Sequence, residues 1–383
     1  MAAVLVCAAA LVTSGCSTAH DLPLADSELT LLTTPDGVEF VRTPDAFFEG
    51  LPDWPFEPRY VQIDGLRQAY VDAGPRDGEP VLLLHGQPSW SYLYRHMIPV
   101  LADAGYRVIA MDHLGMGRSD KPISLDYHSY ANHVHRLERF IDELGLTDIT
   151  AFVQDWGSLI GLNVIGTHPE RFARVVLGDG ALPEVAAGEL LFPLPDDADA
   201  AIAAFASTIR RIPARQPEFY QPNGDLKPMM QNQNGYFGNW ILYARHFEGF
   251  RPSTILEAMT YFPLTREERA AYDAPFPARI AMAAPRTFPG FVNTLGGQTQ
   301  SAWQGLEAFE KPFLTIWAAN DPGELGRPQT QRTMIERVPG ATGQPHVRLA
   351  EASHFLQDDQ GNRIAGLMIE FMRENPIRPA KAD

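Results

Sequence analysis

Ile149-Thr-Ala-Phe-Val-Gln-Asp-Trp-Gly-Ser-Leu-Ile-Gly161 is the stretch that decides the fold. Its first five residues are β-branched, aromatic or small with no polar break, the pattern of a strand buried on both faces of a parallel sheet. Gly157, Ser158 and Gly161 then open an apolar run, Leu159, Leu162, Val164 and Ile165, that packs as a helix. Between strand and helix stands Gln154-Asp155-Trp156-Gly157. A sharp strand-to-helix turn lifts its central side chain clear of the sheet, requires small neighbours, and places backbone N–H groups beside it. Serine is the usual occupant of such a turn; here it is an aspartate, whose carboxylate can attack carbon by displacement. The simpler alternative is an aspartate that only caps the following helix.

Around this unit lie further segments with the strand pattern. Tyr60–Ile63 and Leu66–Asp72 are joined at Asp64-Gly65, a hairpin signal. Val81–Leu84, Arg107–Met111, Arg174–Leu177, Pro312–Trp317 and His346–Leu349 follow, with helical spacing between most of them, as in Val134, Leu137, Phe140, Ile141 and Leu144. Alternating strands and helices predict an α/β fold with a mostly parallel sheet covered on both faces. The alternation breaks between about Pro183 and Gly297, where helical patterns such as Ala198–Ile212 and Ile255–Met259 occur without a strand. An insertion of helices there predicts a cap over the carboxyl ends of the sheet.

The 383 residues carry a formal charge of −16, which argues against nucleic acid or an anionic membrane as partner. A hydrophobic fraction of 45% is enough to fill a sizeable core. The chain opens on an uncharged segment with an eleven-residue apolar run from Ala2 to Val12, too short to span a bilayer and typical of a secretory signal. Ser14-Gly15-Cys16 resembles the end of a bacterial lipoprotein signal, making Cys16 a candidate lipidation site and the protein an exported, cell-envelope one. Thr13 and the lack of a preceding Lys or Arg depart from that pattern. Cys7 and Cys16 are the two cysteines of the chain, so the remainder forms no internal disulfide. The expected organisation is a signal at 1–16, a tether and arm at 17–56, a core at 57–182 and 298–383, and a helical cap at 183–297.

Three candidate catalytic residues follow strand ends in chain order: Asp155 as nucleophile, Asp321 in Asn320-Asp321-Pro322, and His354 in Ala352-Ser353-His354-Phe355. That is the order of an α/β-hydrolase triad. His85-Gly86-Gln87 turns at the same sheet edge, so the N–H groups of Gln87 and Trp156 make a candidate anion hole. Asp179 also follows a strand end and stands as the alternative acid. His128, His133 and His135 lack the spacing to share one helix face, so no metal site is expected from them. Gly115-Met-Gly117-Arg118 is read as a turn.

Five blocks resemble the haloalkane dehalogenases, in particular those whose triad acid follows the late strand: His85–Arg95, Asp112–Pro122, Val153–Gly157, Ala271-Tyr-Asp-Ala-Pro-Phe-Pro277 and Ser353–Gln357. The resemblance runs from about Phe40 to the C-terminus. It implies an α/β-hydrolase fold with a helical cap, no cofactor or metal, a small apolar halogenated substrate, and water as second reactant. It also implies that Asp155 attacks the halogen-bearing carbon and that His354, oriented by Asp321, activates water against the resulting ester. Trp156 would bind the leaving halide, and a cap tryptophan about thirty residues before Ala271–Pro277, near Trp240, would supply a second indole N–H. The chain departs from the family in about fifty extra residues, Glu184 to Gly235, whose Phe192, Phe205, Phe219 and Tyr220 are placed to reshape the pocket. Two other readings share these residues. An epoxide hydrolase also uses Asp-Trp-Gly, with Tyr236, Tyr243 and Tyr261 as candidate proton donors, and a surface lipoprotein with a decayed site would bind apolar ligands without turnover.

Overall fold

The computed structural model describes residues 22–209 and 236–377. Eight strands form the main sheet: β1 (Arg59–Ile63), β2 (Leu66–Ala73), β3 (Pro80–Leu84), β4 (Arg107–Met111), β5 (Ile149–Val153), β6 (Phe172–Gly178), β7 (Phe313–Ala318) and β8 (Val347–Leu349). Their order across the sheet is β1-β2-β4-β3-β5-β6-β7-β8. β1 and β2 pair antiparallel, and β2 runs antiparallel to β4; the other pairs are parallel. The turn at Asp64-Gly65 places both residues at positive φ, 48° and 74°, which is what a two-residue hairpin demands.

Successive residues of the central strands serve opposite cores. Leu82, Leu84, Ala151 and Val153 face one apolar cluster, while Val81, Leu83 and Phe152 face the other. Helices α2 (Tyr130–Glu143) and α3 (Trp156–Thr167) contribute to the first, and α1 (Met97–Asp103) with α11 (Leu356–Glu374) to the second. This double coverage is why β5 is buried along its whole length and carries no polar alternation.

Between β6 and β7 lie α4 (Ala198–Ile209), α5 (Tyr236–His246), α6 (Pro252–Ala258), α7 (Arg266–Asp273), α8 (Ala283–Thr287) and α9 (Gln300–Leu306), with no strand among the described residues. The helix expected from Ile255 starts earlier because Pro252 occupies its first turn and Arg251 stays extended before it. The remaining helix, α10 (Pro328–Arg337), follows β7. Residues from Leu22 onward are anchored to the chain rather than trailing from it. A short sheet of Leu32–Thr33, Glu39–Val41 and Lys121–Pro122 fixes the arm. Leu24 N–H donates to Pro277 O at 3.0 Å, and Thr43 Oγ1 to Pro275 O at 2.6 Å.

Candidate active site

Parallel pairing brings five strand ends to one edge: Leu84 is opposite Val153, Val153 opposite Leu177, Ile316 opposite Gly178, and Ala318 opposite Leu349. Gln87, Asp155, Asp179, Asp321 and His354 therefore converge from different strands. Asp155 is the sharpest point of this edge, with φ 49° and ψ −130°. A non-glycine residue in such a conformation costs about 1–3 kcal/mol and persists only where its surroundings over-determine it. Here Asp155 N–H donates to Asp179 O at 3.1 Å, and Asp155 O accepts from Ser158 N–H at 2.8 Å and Ser158 Oγ at 2.6 Å. The neighbouring glycines are required by contact. A Cβ on Gly86 would lie 2.1 Å from Asp155 Oδ1, and one on Gly157 would lie 2.0 Å from Leu84 O. Asp155 does not cap its helix with its side chain.

Each carboxylate oxygen of Asp155 has its own partner. Gln87 N–H donates to Oδ1 at 2.7 Å, while Oδ2 lies 3.3 Å from His354 Nε2. The other ring nitrogen, Nδ1, lies 2.8 Å from Asp321 Oδ2. Asp321 Oδ1 in turn accepts from Gly323 N–H at 2.6 Å. Burial by itself would lower the His354 imidazole, but Asp321 and Asp155 outweigh it and hold the ring well above its ordinary value. Burial likewise pushes Asp321 up, yet the charge and hydrogen bond of His354 leave it below the usual carboxylate range. Asp179 is fully buried, with Oδ1 accepting from Ala318 N–H at 2.8 Å. Among the described residues, the acid bonded to His354 is Asp321. Asp179, Asp321 and His354 bring ligand atoms within 4.8 Å of one another, but Asp321 and His354 are committed to each other, so the trio is an acid pair with its base rather than a metal cradle.

Two residues without a role in the sequence reading complete the support. Gln154 Nε2 donates to His354 O at 2.9 Å, and Gln357 Nε2 donates to Gln154 Oε1 at 3.2 Å. Both glutamines are fully buried. Their signal was position alone, one residue before the nucleophile and three after the histidine. His128 and His133 stack with ring centroids 5.6 Å apart, and burial lowers both, His128 to about 4. His135 is exposed beside Asp64 instead, so the three do not converge.

A cavity of about 350 Å³ opens from Asp155 and Trp156. Leu159, Leu182, Phe192, Phe237, Val292 and Leu325 supply much of its apolar surface, and Glu184, Glu324 and Arg337 its charged part. The rings of Phe192 and Phe237 stack at 4.5 Å, so the extra segment does shape this space. Phe219 and Tyr220 lie outside the described residues. Trp156 packs edge-on against Phe288 and Phe291 at 5.6 and 5.7 Å, and among the described residues its indole N–H has no acceptor. Trp240 is not among the residues lining this cavity. It stacks on Phe205 at 5.2 Å, within the same apolar cluster as Trp156. No tyrosine lines the cavity among the described residues.

The family model described as alpha/beta hydrolase fold matches residues 79–360. The haloalkane dehalogenase of Psychrobacter cryohalolentis is 36% identical over 349 residues, covering 88% of this chain and all of its own length. That of Mycolicibacterium paratuberculosis is 38% identical over 343 residues, covering 87% of this chain and 98% of its own. The chain belongs to the haloalkane dehalogenase family. Among solved structures, the haloalkane dehalogenase DpaA from Paraglaciecola agarilytica NO2 superposes with a TM-score of 0.62 at 26% identity, over 85% of this chain and 96% of that one. The haloalkane dehalogenase DatA from Agrobacterium tumefaciens C58, at 22% identity and a TM-score of 0.62, shares the fold. In this chain the aspartate elbow, the histidine and the apolar cavity meet at one sheet edge, the place where ligands bind in α/β folds.

Proposed function

We propose that the protein hydrolyses haloalkanes to alcohol and halide in two steps carried by Asp155 and His354. Gln87 N–H holds Asp155 Oδ1 at 2.7 Å, while Oδ2 has only the longer 3.3 Å contact with His354 Nε2, so Oδ2 is the oxygen that attacks the carbon. An O–C bond forms, the carbon–halogen bond breaks, and its electron pair leaves on the halide without need of a proton. A halide in a dry site is costly unless N–H groups receive it. The Trp156 indole, which offers a donor and no acceptor, is next to the nucleophile and faces the cavity. Trp240, the second donor that the family resemblance implies, packs on Phe205 outside the cavity lining, so this reading rests on Trp156 alone for the halide.

In the second step His354 Nε2 takes a proton from water, and the hydroxide attacks the carboxyl carbon of the ester. Negative charge then develops on Oδ1, 2.7 Å from the Gln87 N–H in the resting protein. The imidazolium returns that proton to the departing alkoxide, and collapse expels the alcohol with the original Oδ2. The oxygen from water stays in the carboxyl group, which loses its remaining proton to regenerate the carboxylate. Asp321 holds Nδ1–H, fixes the tautomer and stabilises the imidazolium. The observation that carries this reading is the division of the Asp155 carboxylate, one oxygen on an N–H donor and the other on the histidine, at the end of an apolar cavity. The test is halide release from short brominated alkanes beside diol formation from styrene-type epoxides. Halide without diol supports the proposal; diol alone selects the epoxide hydrolase, and neither product over a broad panel overturns both.

We further propose that the chain is exported and anchored through Cys16. Support comes from the Ala2–Val12 run and from Ser14-Gly15-Cys16, which lie outside the described residues. Fractionation of cells expressing the native chain and Cys16→Ser is the check. Native protein in the membrane fraction and the variant released from it supports the anchor; identical soluble behaviour overturns it.

A further inference from the structure

Asp179 and Asp321 present two buried carboxyl groups where the reaction uses one. They follow adjacent strands, β6 and β7, and neither is exposed to solvent. The two oxygens of Asp321 are both engaged, Oδ2 with His354 Nδ1 at 2.8 Å and Oδ1 with Gly323 N–H at 2.6 Å. Those contacts stabilise a charged carboxylate. Asp179 differs: Oδ1 accepts from Ala318 N–H, but Oδ2 is buried with no partner. The charged groups near Asp179 are Asp321, His354 and Arg348. The Arg348 guanidinium donates to Ala318 O and Gly326 O, both at 3.0 Å, and to Gln331 Oε1, also at 3.0 Å. His354 already faces the carboxylates of Asp155 and Asp321. At Asp179 burial together with the charge of Asp321 outweighs His354 and Arg348, so the charged form is disfavoured and the group takes a proton.

We propose that Asp179 is a positioning residue, a neutral carboxylic acid whose Oδ2–H donates to the Asp321 carboxylate and so holds the acid that orients His354. The proposal rests on Asp321 being the triad acid. A proton on Oδ2 turns the one orphaned atom into a donor, and the nearest carboxylate is the acceptor. Burial first, then the charge of Asp321, pushes Asp179 well above the usual carboxylate range. The same residue carries the backbone O that accepts from Asp155 N–H, so the acid pair and the strained elbow are braced through one position.

The test is infrared difference spectroscopy of the native chain against Asp179→Asn at neutral pH, with single-turnover kinetics on both and on Asp179→Ala. The asparagine still accepts from Ala318 N–H and still donates to Asp321 through its amide. The expected result is a protonated-carboxyl stretch in the native protein that is absent from Asp179→Asn, with ester hydrolysis within about threefold of native. Asp179→Ala should slow ester hydrolysis about ten- to a hundredfold while sparing the halide burst, as loss of one donor to a charged acceptor implies. No carboxyl band lost on Asp179→Asn overturns the neutral acid even where Asp321 proves essential. The triad reading fails separately, if Asp179→Asn abolishes ester hydrolysis and Asp321→Asn leaves it intact.

Discussion

Replacing Asp321 by asparagine tests how the second step is built. The substitution keeps shape and removes one charge, and a hydrogen bond to a charged partner contributes about 1.5–3 kcal/mol, a ten- to hundredfold effect. The surroundings predict a larger loss. Gly323 N–H, 2.6 Å from Asp321 Oδ1, selects the amide oxygen for that position, which turns the amide NH2 toward His354 Nδ1. The imidazole then carries its proton on Nε2, facing Asp155, and loses its function as base. An inverted tautomer of this kind costs about 10⁴-fold in a serine triad, or ~5 kcal/mol. Rapid-quench kinetics with a brominated alkane separates the steps. A full halide burst followed by ester hydrolysis about 10³- to 10⁴-fold slower than native is the expected outcome. A loss under about tenfold, or an equal loss in the burst, refutes the reasoning.

Three further outcomes follow from the same geometry. Trp156→Phe keeps the edge-on packing against Phe288 and Phe291 but removes the indole N–H, and should slow the halide burst about ten- to a hundredfold with ester hydrolysis unchanged; an unchanged burst would remove Trp156 from the halide site. Alkylation neutralises Asp155, one of the two carboxylates that raise His354, so ester hydrolysis should rise with pH through a pKa lower than that of His354 in the resting protein titrated by NMR. Equal values, or hydrolysis that accelerates toward acid, would contradict that coupling. A single turnover in ¹⁸O-water should place the label in Asp155 and leave the first alcohol unlabelled, whereas label in the alcohol would mean direct attack of water on the alkyl carbon.

The strand-turn-helix unit around Asp155 was legible because each of its levels agrees: an uninterrupted apolar strand, glycines where the backbone is too close for a Cβ, and an apolar helix behind. The strand ends at Leu84 and Leu349 were legible for the same reason, and β7 differs from its expected span by a single residue at each end. The choice between Asp321 and Asp179 was a different kind of question. Both follow strand ends, and only the 2.8 Å contact of Asp321 with His354 separates them in space. The position of Trp240 depends on how α4 and α5 stack through Phe205, a tertiary contact that spacing along the chain does not encode. Gln154 and Gln357 carry their importance through partners two hundred residues apart in sequence, which no local pattern reveals. The arm before β1 was equally opaque, since its anchor is the turn at Pro275–Pro277 far down the chain.

The most direct measurement of the account is mass spectrometry of His354→Ala after incubation with a short bromoalkane. With Asp155 intact and the base for water removed, the account predicts stoichiometric halide release and a stable adduct equal in mass to the alkyl group, mapped to the peptide that contains Asp155. An unmodified protein that keeps turning over, or an adduct on any other residue, would contradict it.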